Sequence, residues 1–494
     1  MLQSTAYTIT FVVYFLIIAL LCIAANRYNN RLSDYVLGGR RLSGPIAALA
    51  AGASDMGGWL LLALPGAFFL HGLNQIWMPI GLSIGAYINW LVIAKRLRVY
   101  TQKANNALTI PAYLDNRFRD QSTLLRAITA IVVLVFFTFY AAAGFVSGAV
   151  LFQSAFHLPY NEALWIGAGI VMLYTAIGGF LALSWIDFFQ GTLMFIALVA
   201  TPLVTFSHLG SFDTLYHHLD HINPPYLHPF AHMNIISILS LLGWGLGYFG
   251  QPHILVRFMA VKSVQVIPQA RRICMTWMCV SLLGAMATGI LGHAYFGQQL
   301  DNPERVFLAL SEKLFFALAT GVLLSAVLSA LMSTVSAQLL SASSALTADF
   351  YHRYLRRQAQ QKELVIMSRV AVIIIALLAI WIAHTNHRNS ILQLVSYAWG
   401  GLGAAFGPTI ILSLFWKRMT RAGAIAGVLS GALTIIVWKL VLSTLGGVFS
   451  LYEIIPGYII STLAIIIAST LSQPPSAAMA EEFNAVQVIV DEES

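Results

Sequence analysis

Two acidic side chains, Asp55 and Asp187, lie within or beside long apolar stretches of this sequence. Asp55 is in LAAGASDMGGWLLLALPG, and Asp187 is in GGFLALSWIDFFQ. An ionised carboxylate near the centre of a bilayer costs at least about 2.5–3.5 kcal/mol on insertion scales, so a carboxylate that remains there usually serves a function. We expect Asp55 to attract a cation. For Asp187, next to a turn between two apolar stretches, a structural capping role fits nearly as well.

Glycine and proline interrupt the stretch around Asp55. Gly52, Gly57 and Gly58 bracket the carboxylate and Pro65 follows, so the segment is predicted to be a broken helix. A break frees main-chain carbonyls at membrane depth, which is tolerated where they line a cavity or hold a ligand, and carbonyls beside a carboxylate suit a hard cation. A second interrupted stretch, LLGWGLGYFGQPHIL, follows about 190 residues later. Glycines alone also serve close helix packing, but a pair of broken spans is typical of an inverted-repeat secondary transporter.

Small polar side chains offer further oxygen ligands in the stretch SALMSTVSAQLL. Ala330, Ser333 and Thr334 stand at positions i, i+3 and i+4, so one carbonyl and two hydroxyls share a face of one helical turn. Neutral oxygens in that arrangement can bind a cation. Serine and threonine in membrane helices also bond to carbonyls of their own helix, and that alternative stays open.

Four aromatic residues, Trp59, Tyr140, Trp244 and Tyr248, lie inside apolar stretches rather than at their ends. Aromatic residues of membrane proteins are usually enriched at the two interfaces. Because Trp59 and Trp244 flank the two breaks, this placement predicts the wall of a pocket for a small solute with an apolar body.

The amino-acid composition indicates that these residues are carried by membrane-spanning elements. Of the 494 residues, 59% are hydrophobic and 9% are charged, against roughly 25% charged in soluble proteins, and the mean hydropathy is +0.78. A water-soluble enzyme is excluded, and the three cysteines show no disulfide spacing. Apolar stretches of about 20 residues predict transmembrane helices, and thirteen are found: 6–26, 44–70, 74–95, 124–155, 161–183, 185–207, 234–250, 273–297, 314–347, 366–385, 391–416, 422–444 and 452–472.

Basic residues are distributed unequally over the connections between these spans. Of the 27 Lys and Arg residues, 23 lie on one side, beginning with the loop after the first span. Short cytoplasmic loops carry such an excess, so we expect the amino terminus outside and the carboxyl terminus inside. The formal charge of +8 is therefore a topological signal and does not indicate binding to nucleic acid.

Two polar segments remain. The 208–233 loop has no Lys or Arg and six of the 13 His, and its cluster His217-His218-x-Asp220-His221 is either a metal site or part of an ordinary solvated loop. The tail from about residue 473 begins with Pro474-Pro475 and ends in acidic residues, which predicts a mobile cytoplasmic end.

Three classes of membrane protein compete at this point. No GxxxxGK[ST] motif occurs, which argues against ATP-driven pumping by this chain. The sequence also contains no repeated filter motif and no ring of like charges, which argues against a channel. Asp55 and Asp187 could form an aspartyl dyad, but neither lies in a GxGD motif. A secondary transporter without enzymatic activity accounts best for the broken spans and the sparse buried charge.

The segments AGASDMGGWLL, YTAIGGFLALSWID, WGLGYFGQPHILVRFMA, SALMSTVSAQLL and SYAWGGLGAAFGP together resemble the sodium/solute symporter family, in particular its proline-transporting members. The likeness extends from about residue 7 to the end of the last span. It implies an all-α membrane protein with a LeuT-type 5+5 inverted-repeat core among about thirteen helices. The implied divisions are 1–43 for an accessory helix and loop, 44–207 for the first repeat, 208–233 for a periplasmic loop, 234–416 for the second repeat, 417–472 for two accessory helices and 473–494 for the tail.

The resemblance also implies roles for individual residues. Sodium is expected to bind the carbonyls of Ala53, Met56 and Ala330 and the hydroxyls of Ser333 and Thr334. Asp55 is expected to be the essential nearby carboxylate, Asp187 a second acid near the ion route, and Arg40 a residue important for coupling. The implied substrate site comprises Gly57, Gly58, Trp59, Tyr140, Trp244 and Tyr248.

The implied activity is inward symport of L-proline with co-transported sodium, one ion per proline, across a bacterial cytoplasmic membrane. The lipid bilayer is the expected surrounding, and ATP, nucleic acid and an obligate protein partner are not expected. One departure weakens the substrate assignment, because serines are typical of the proline carriers where this chain has Ala50 and Gly57. One missing hydrogen bond is worth roughly 0.5–1.5 kcal/mol, so a Gly57→Ser variant is predicted to bind proline at least as tightly. Another small amino acid or carboxylate-bearing solute remains the alternative substrate.

Overall fold

The computed structural model describes residues 2–26, 31–211, 213, 215–216, 219, 224–297, 300–385 and 390–492. Regular secondary structure in this part of the chain is helical, and an isolated parallel bridge joins Leu42 to Val261. The His217-His218-x-Asp220-His221 cluster lies outside the described residues.

All thirteen predicted spans coincide with helical chain. The first half contains α1 Leu2–Asn26, α2 Leu32–Leu37, α3 Gly44–Asp55, α4 Leu64–His71, α5 Trp77–Ile88, α6 Ala94–Lys103, α7 Ile110–Arg117, α8 Leu124–Phe156 and α9 Tyr160–Leu209. The second half contains α10 Ile235–Leu242, α11 Pro252–Ala260, α12 Ile267–Phe296, α13 Val306–Leu314, α14 Ala317–Ser344, α15 Gln361–Thr385, α16 Ile391–Phe415, α17 Arg421–Leu440, α18 Ile454–Leu471 and α19 Ala477–Glu492.

Ten continuous helical stretches among the described residues are long and apolar enough to cross a membrane. One of them, Tyr160–Leu209, contains two predicted spans; another, Trp59–Lys103, joins the second part of the 44–70 span to the 74–95 span; and the span at Ile235–Gly250 is short. Backbone geometry separates the merged pairs: Gly72, with a φ of 72°, lies between α4 and α5, and Gly179, with a φ of 68°, divides α9. A straight helix of 50 residues would be about 75 Å long, more than twice the roughly 30 Å of a bilayer core.

Both broken spans predicted from glycine and proline are observed. In the first, α3 ends at Asp55 and a π-helical turn over Trp59–Ala63 leads into α4. In the second, a 3-10 segment over Gly243–Gly250 separates α10 from α11. Gly85 of α5 packs directly on this segment, since a Cβ there would lie 2.1 Å from the Gly245 carbonyl oxygen.

The second broken span is longer than predicted. It was expected to end at residue 250, but α11 continues the helix to Ala260. Arg257, which the sequence analysis counted among the loop residues, is therefore inside a helix and is 1% exposed.

Helices differ sharply in how much of them is buried within the protein. In α14 and in α16, 83% of the most apolar window is buried, against 28% in α1 and in α17. The helix α14 packs against α1, α3, α8 and α9. A helix enclosed on several sides can carry polar groups away from lipid, and α14 is the helix that bears Ser333 and Thr334.

The expectation of a mobile carboxyl-terminal tail is wrong for its described part. The chain forms α19, which buries Met479, Val486 and Val490 and packs against α6. The Phe483 ring meets the Tyr100 ring edge-on at 6.4 Å. Apolar residues at 479, 483, 486 and 490 recur with helical spacing, a pattern that the acidic end of the tail obscured.

Candidate ion and substrate site

Asp55 lies at the point where α3 stops. The next residue, Met56, has a φ of −88° and a ψ of 77°, so the helix cannot continue. The Asp55 side chain is 2% exposed; its Oδ2 accepts a hydrogen bond of 2.5 Å from the Tyr248 hydroxyl, while Oδ1 has no hydrogen-bond partner among the described residues. The carboxylate is thus buried with one oxygen still able to accept a cation.

Four of the five predicted sodium ligands converge at this break. The Ser333 hydroxyl donates to the carbonyls of Ala53 at 2.8 Å and Ala330 at 3.1 Å, and the Thr334 hydroxyl donates to Ala53 at 3.2 Å. Oxygens about 3 Å apart have the spacing of neighbours around a hard cation with metal–oxygen distances of roughly 2.3–2.6 Å. The fifth, Met56, is fully buried at the end of α3.

The two glycines after Met56 pack against the same region. A Cβ on Gly57 would lie 2.6 Å from Oγ1 of Thr334, and a Cβ on Gly58 would lie 2.6 Å from Cβ of Ser147. The prediction that a serine at position 57 would be neutral or beneficial does not take this contact into account. A side chain there has to displace a candidate ion ligand.

Three of the four predicted aromatic residues form one group. The Trp59 and Trp244 rings are 6.5 Å apart at 35°, and the Trp59 indole N–H donates to the Asp55 carbonyl at 3.1 Å. Tyr248 reaches the Asp55 carboxylate from the second broken span. The aromatic group therefore contacts Asp55 at the end of α3, two residues after Ala53, whose carbonyl accepts the hydrogen bonds of Ser333 and Thr334.

Two further members of this aromatic group, Trp399 and Tyr452, were not predicted from sequence. The Trp399 ring lies 5.1 Å edge-on from Tyr248, and its N–H donates to the Trp244 carbonyl at 2.8 Å. The Tyr452 ring lies 5.4 Å from Trp244. Trp399 is inside the motif SYAWGGLGAAFGP, so its position within a span was the available signal.

Tyr140, the fourth predicted aromatic residue, packs against a different neighbour. It is 2% exposed and meets the His253 ring edge-on at 6.0 Å. His253 is itself held edge-on by Phe137 at 5.4 Å. The sequence analysis did not single out His253, although it directly follows the proline of the second break.

Asp187 has a cationic partner within the protein. The Arg257 guanidinium contacts Oδ2 of Asp187 at 2.9 Å, both side chains are at most 2% exposed, and the Phe180 ring lies 4.4 Å from the guanidinium carbon. Asp187 is inside the second half of α9, beyond Gly179. The structure thus shows an ion pair where a capping role was the alternative.

Arg40 lies at the end of the molecule that carries most basic loops. Its guanidinium donates to the Ala107 carbonyl at 3.0 Å, the Asn106 side chain at 3.0 Å and the Met259 carbonyl at 2.5 Å. Burial, together with the neighbouring Arg98 charge, lowers the pKa of Arg40 to about 9, so the group is protonated at pH 7. Arg40 joins the first basic loop to the second and to the end of α11, and these contacts do not include the ion ligands.

Another buried acid, Asp349, was not predicted from sequence. The Thr109 hydroxyl donates to it at 2.8 Å and the Arg126 guanidinium at 2.7 Å, and the side chain is fully buried. It lies two residues beyond the predicted end of its span, in a π-helical extension of α14 over Ala345–Leu355. Among the described residues, no group of three or more His, Cys, Asp and Glu side chains is arranged to hold a metal ion.

The known proteins that this chain resembles are sodium-coupled or proline transporters. The model of the sodium:solute symporter family matches residues 35–431. The chain is 50% identical over 487 residues to a sodium/proline symporter of Escherichia coli K12, covering 97% of this chain and 96% of the relative. It is also 50% identical over 466 residues to the high-affinity proline transporter PutP of Bacillus subtilis 168, covering 94% and 98%.

Solved structures show the fold. A Na⁺-coupled sialic acid symporter in a substrate-bound, outward-open state matches with a TM-score of 0.80 at 16% identity, covering 95% of this chain and 99% of the other. Mhp1, a nucleobase-cation-symport-1 family transporter in a closed conformation, matches with a TM-score of 0.53 at 15% identity, covering 92% and 98%. The predicted fold class, an all-α membrane protein with a LeuT-type transporter core, is confirmed.

Proposed function

This chain belongs to the sodium:solute symporter family, and we propose that it imports L-proline together with sodium across a bacterial cytoplasmic membrane. The observation that carries the proposal is the meeting of two polar systems at the end of α3, one at Ala53 and one at Asp55. One consists of the oxygens of Ala53, Ser333 and Thr334, and the other is the tyrosine that belongs to the aromatic group.

The oxygen ligands support sodium as the coupling ion. Carbonyl, hydroxyl and carboxylate oxygens are hard ligands, and soft sulfur or imidazole groups take no part in the proposed set. Asp55 supplies the negative charge, and one of its oxygens has no hydrogen-bond partner within the described part of the chain. Sodium is cargo in this scheme, so its site has to bind the ion and release it in each cycle.

The aromatic group supports a small amino acid as the solute. Proline has a zwitterionic head and a compact apolar ring. The freed backbone groups at the two breaks provide dipoles for the head, and the rings of Trp59, Trp244, Tyr140 and Tyr248 provide an apolar wall. The sodium/proline symporters at about 50% identity make proline the first choice among such solutes.

Tyr248 offers a physical route for coupling the two cargoes. Its hydroxyl donates a hydrogen bond to the Asp55 carboxylate. A cation that draws the Asp55 carboxylate into its own coordination weakens this bond and frees the hydroxyl as a donor for the solute carboxylate. Sodium binding would then prepare the solute site, which is the order of events that a symporter needs.

The distribution of basic residues supports the orientation. Positive-inside counting places the end with Arg40 and Asp349 in the cytoplasm and the amino terminus outside. In that orientation, the contacts of Arg40 and the Asp187–Arg257 pair join elements on the cytoplasmic half of the protein. They would hold that side closed until the ion and the solute are released.

The test is uptake by proteoliposomes that contain the purified chain. Labelled L-proline should accumulate under an inward sodium gradient, and accumulation should stop when a sodium ionophore collapses that gradient. A potassium gradient of equal size is the control. Excess unlabelled proline should compete with the label more strongly than other small amino acids or carboxylates do; if one of these competes better, the sodium symporter remains and the substrate changes.

A further inference from the structure

The first helix, α1, lies outside the two five-helix blocks but sends one polar side chain into the protein. Tyr14 is 3% exposed, although Val13 and Leu16 beside it are 51% and 58% exposed. Its hydroxyl accepts a hydrogen bond of 2.6 Å from the Gln190 amide and one of 3.1 Å from the Ser329 hydroxyl. The same hydroxyl is 3.5 Å from the Met332 sulfur, to which it donates.

These partners belong to the helices that carry the ion site. Ser329 directly precedes Ala330 in α14, and Met332 directly precedes Ser333. Gln190 is one turn after Asp187 in α9. The Tyr14 hydroxyl therefore connects three helices at the helical turn that holds three of the candidate sodium ligands.

The contact between α1 and α14 is close elsewhere too. A Cβ on Gly321 would lie 2.2 Å from Oγ1 of Thr10, so the absence of a side chain there lets α1 approach. From α9, the Tyr174 hydroxyl donates to the Met332 carbonyl at 2.5 Å. Residues 329–334 are thus held by tyrosine hydroxyls from two different helices.

We propose that Tyr14 is a positioning residue for sodium: α1 fixes the 329–334 turn of α14 so that the Ala330 carbonyl and the Ser333 and Thr334 hydroxyls face one point. This inference rests on the proposed sodium site. Ligand oxygens that are held in place lose less freedom when the ion binds, so the sodium affinity depends on a helix that does not touch the ion. Ser329 also donates to the Ser325 carbonyl at 2.8 Å, so its hydroxyl keeps a partner when Tyr14 is changed.

The experiment replaces Tyr14 by phenylalanine, which removes the hydroxyl and keeps the ring. Losing the bonds of one hydroxyl should raise the sodium concentration for half-maximal proline uptake by roughly three- to tenfold. The maximal rate at saturating sodium, and the proline concentration for half-maximal uptake under that condition, should stay within about twofold of the unchanged chain. A loss of folded protein alone would lower the maximal rate and leave the sodium requirement unchanged.

Tyr7→Phe is the matched control. Tyr7 is one heptad earlier on the same face of α1, is 5% exposed, and directs its hydroxyl toward Thr320. Thr320 is 13 residues before Ser333 in α14, a distance of about 20 Å along the helix axis. This variant should leave the sodium requirement unchanged.

Ser329→Ala removes the hydrogen bond between Ser329 and Tyr14 by changing the partner on α14. It also provides the test if the Tyr14→Phe protein does not reach the membrane. The shifts of the single variants should not add in the double variant, because both remove one interaction. An unchanged sodium requirement in Tyr14→Phe or in Ser329→Ala overturns the inference, and so does an equal shift in Tyr7→Phe. Ser333→Ala in the same assay separates the two proposals: if uptake never depends on sodium, or Ser333→Ala leaves the sodium requirement unchanged, the sodium site itself is wrong.

Discussion

Two buried carboxylates of this protein have opposite surroundings. Asp55 lies at a helix break and receives a neutral donor, the Tyr248 hydroxyl, while its other oxygen has no hydrogen-bond partner among the described residues. Asp187 lies inside a helix and receives the Arg257 guanidinium at 2.9 Å, with the Phe180 ring next to the guanidinium. Among the described residues, no cationic side chain forms an ion pair with Asp55, whereas Arg257 forms one with Asp187.

The difference indicates how each charge is used. A buried carboxylate without a counter-charge is costly, and an ion from solution removes that cost when it binds. A carboxylate that already has a guanidinium gains less from such an ion. We therefore assign the mobile cation to Asp55 and regard the Asp187–Arg257 pair as a contact that holds α9 and α11 together.

The largest expected effect follows from neutralising Asp55. Asp55→Asn should abolish sodium-dependent uptake at a normal amount of protein in the membrane, because the charge that attracts the ion is lost and the shape of the side chain is kept. Uptake by proteoliposomes and immunoblotting of membranes measure the two quantities. Asp301→Asn, a change at an exposed loop carboxylate, is the control and should transport normally. Uptake with unchanged sodium dependence in Asp55→Asn would contradict the assignment.

Breaking the ion pair between Asp187 and Arg257 should lower the stability of the folded protein. Arg257→Met leaves the Asp187 charge buried without a partner, which costs about 3–5 kcal/mol. The thermal unfolding temperature of the purified protein in detergent should therefore fall by several degrees. The double variant Asp187→Leu, Arg257→Met should recover most of the loss, since no uncompensated charge remains, whereas Asp55→Asn should unfold near the temperature of the unchanged chain. A single Arg257→Met variant as stable as the unchanged chain would remove the distinction between the two carboxylates.

A smaller effect is expected from the hydroxyl ligands next to Asp55. Ser333→Ala or Thr334→Ala should raise the sodium concentration for half-maximal uptake about fivefold or more, since a lost buried polar partner costs roughly 1–3 kcal/mol. The maximal rate at saturating sodium should change less. Ser325→Ala is a control on the same helix, because its hydroxyl donates to the Gly321 carbonyl of α14 itself at 2.9 Å. Equal sodium dependence in all three variants would show that these hydroxyls are not ligands.

The smallest effect is expected from a side chain added at Gly57, which packs against the candidate sodium ligand Thr334. Gly57→Ser brings a Cβ within 2.6 Å of Oγ1 of Thr334, and overpacking of about 1 kcal/mol at that point corresponds to a sodium requirement raised up to about fivefold. Gly148→Ser is the control, since the nearest atom to its Cβ is 3.6 Å away on Leu331. Tighter proline binding with unchanged sodium dependence in Gly57→Ser would restore the interpretation made from sequence alone.

Much of the fold could be predicted because the bilayer imposes a simple rule on sequence. Apolar length gave all thirteen spans, and glycine with proline marked both breaks. Burial within the protein is less visible. Arg257 follows a broken segment and looks like the first basic residue of a loop, and only its partner Asp187, 70 residues away in sequence, shows that it is enclosed.

The candidate site was predictable where chemistry is local. The i, i+3, i+4 spacing identified Ser333 and Thr334, and burial of charge identified Asp55. Contacts between segments that are distant in sequence leave no comparable spacing pattern, so they could not be predicted. Trp399, Tyr452 and His253 contact the predicted aromatic residues only through the packing of α11, α16 and the chain before α18 around the breaks. No sequence pattern distinguishes them from the many other aromatic and histidine residues.

The docked tail has a consequence for biosynthesis. Tyr100 of α6 and Phe483 of α19 form one packed contact, but roughly 380 residues of synthesis separate them, which takes on the order of 20–75 seconds at about 5–20 residues per second. During that interval α6 has already left the ribosome with its binding face uncovered. The contact between α6 and α19 therefore forms late in synthesis, and a chain that stops before Ala477 would be inserted with this surface of α6 uncovered.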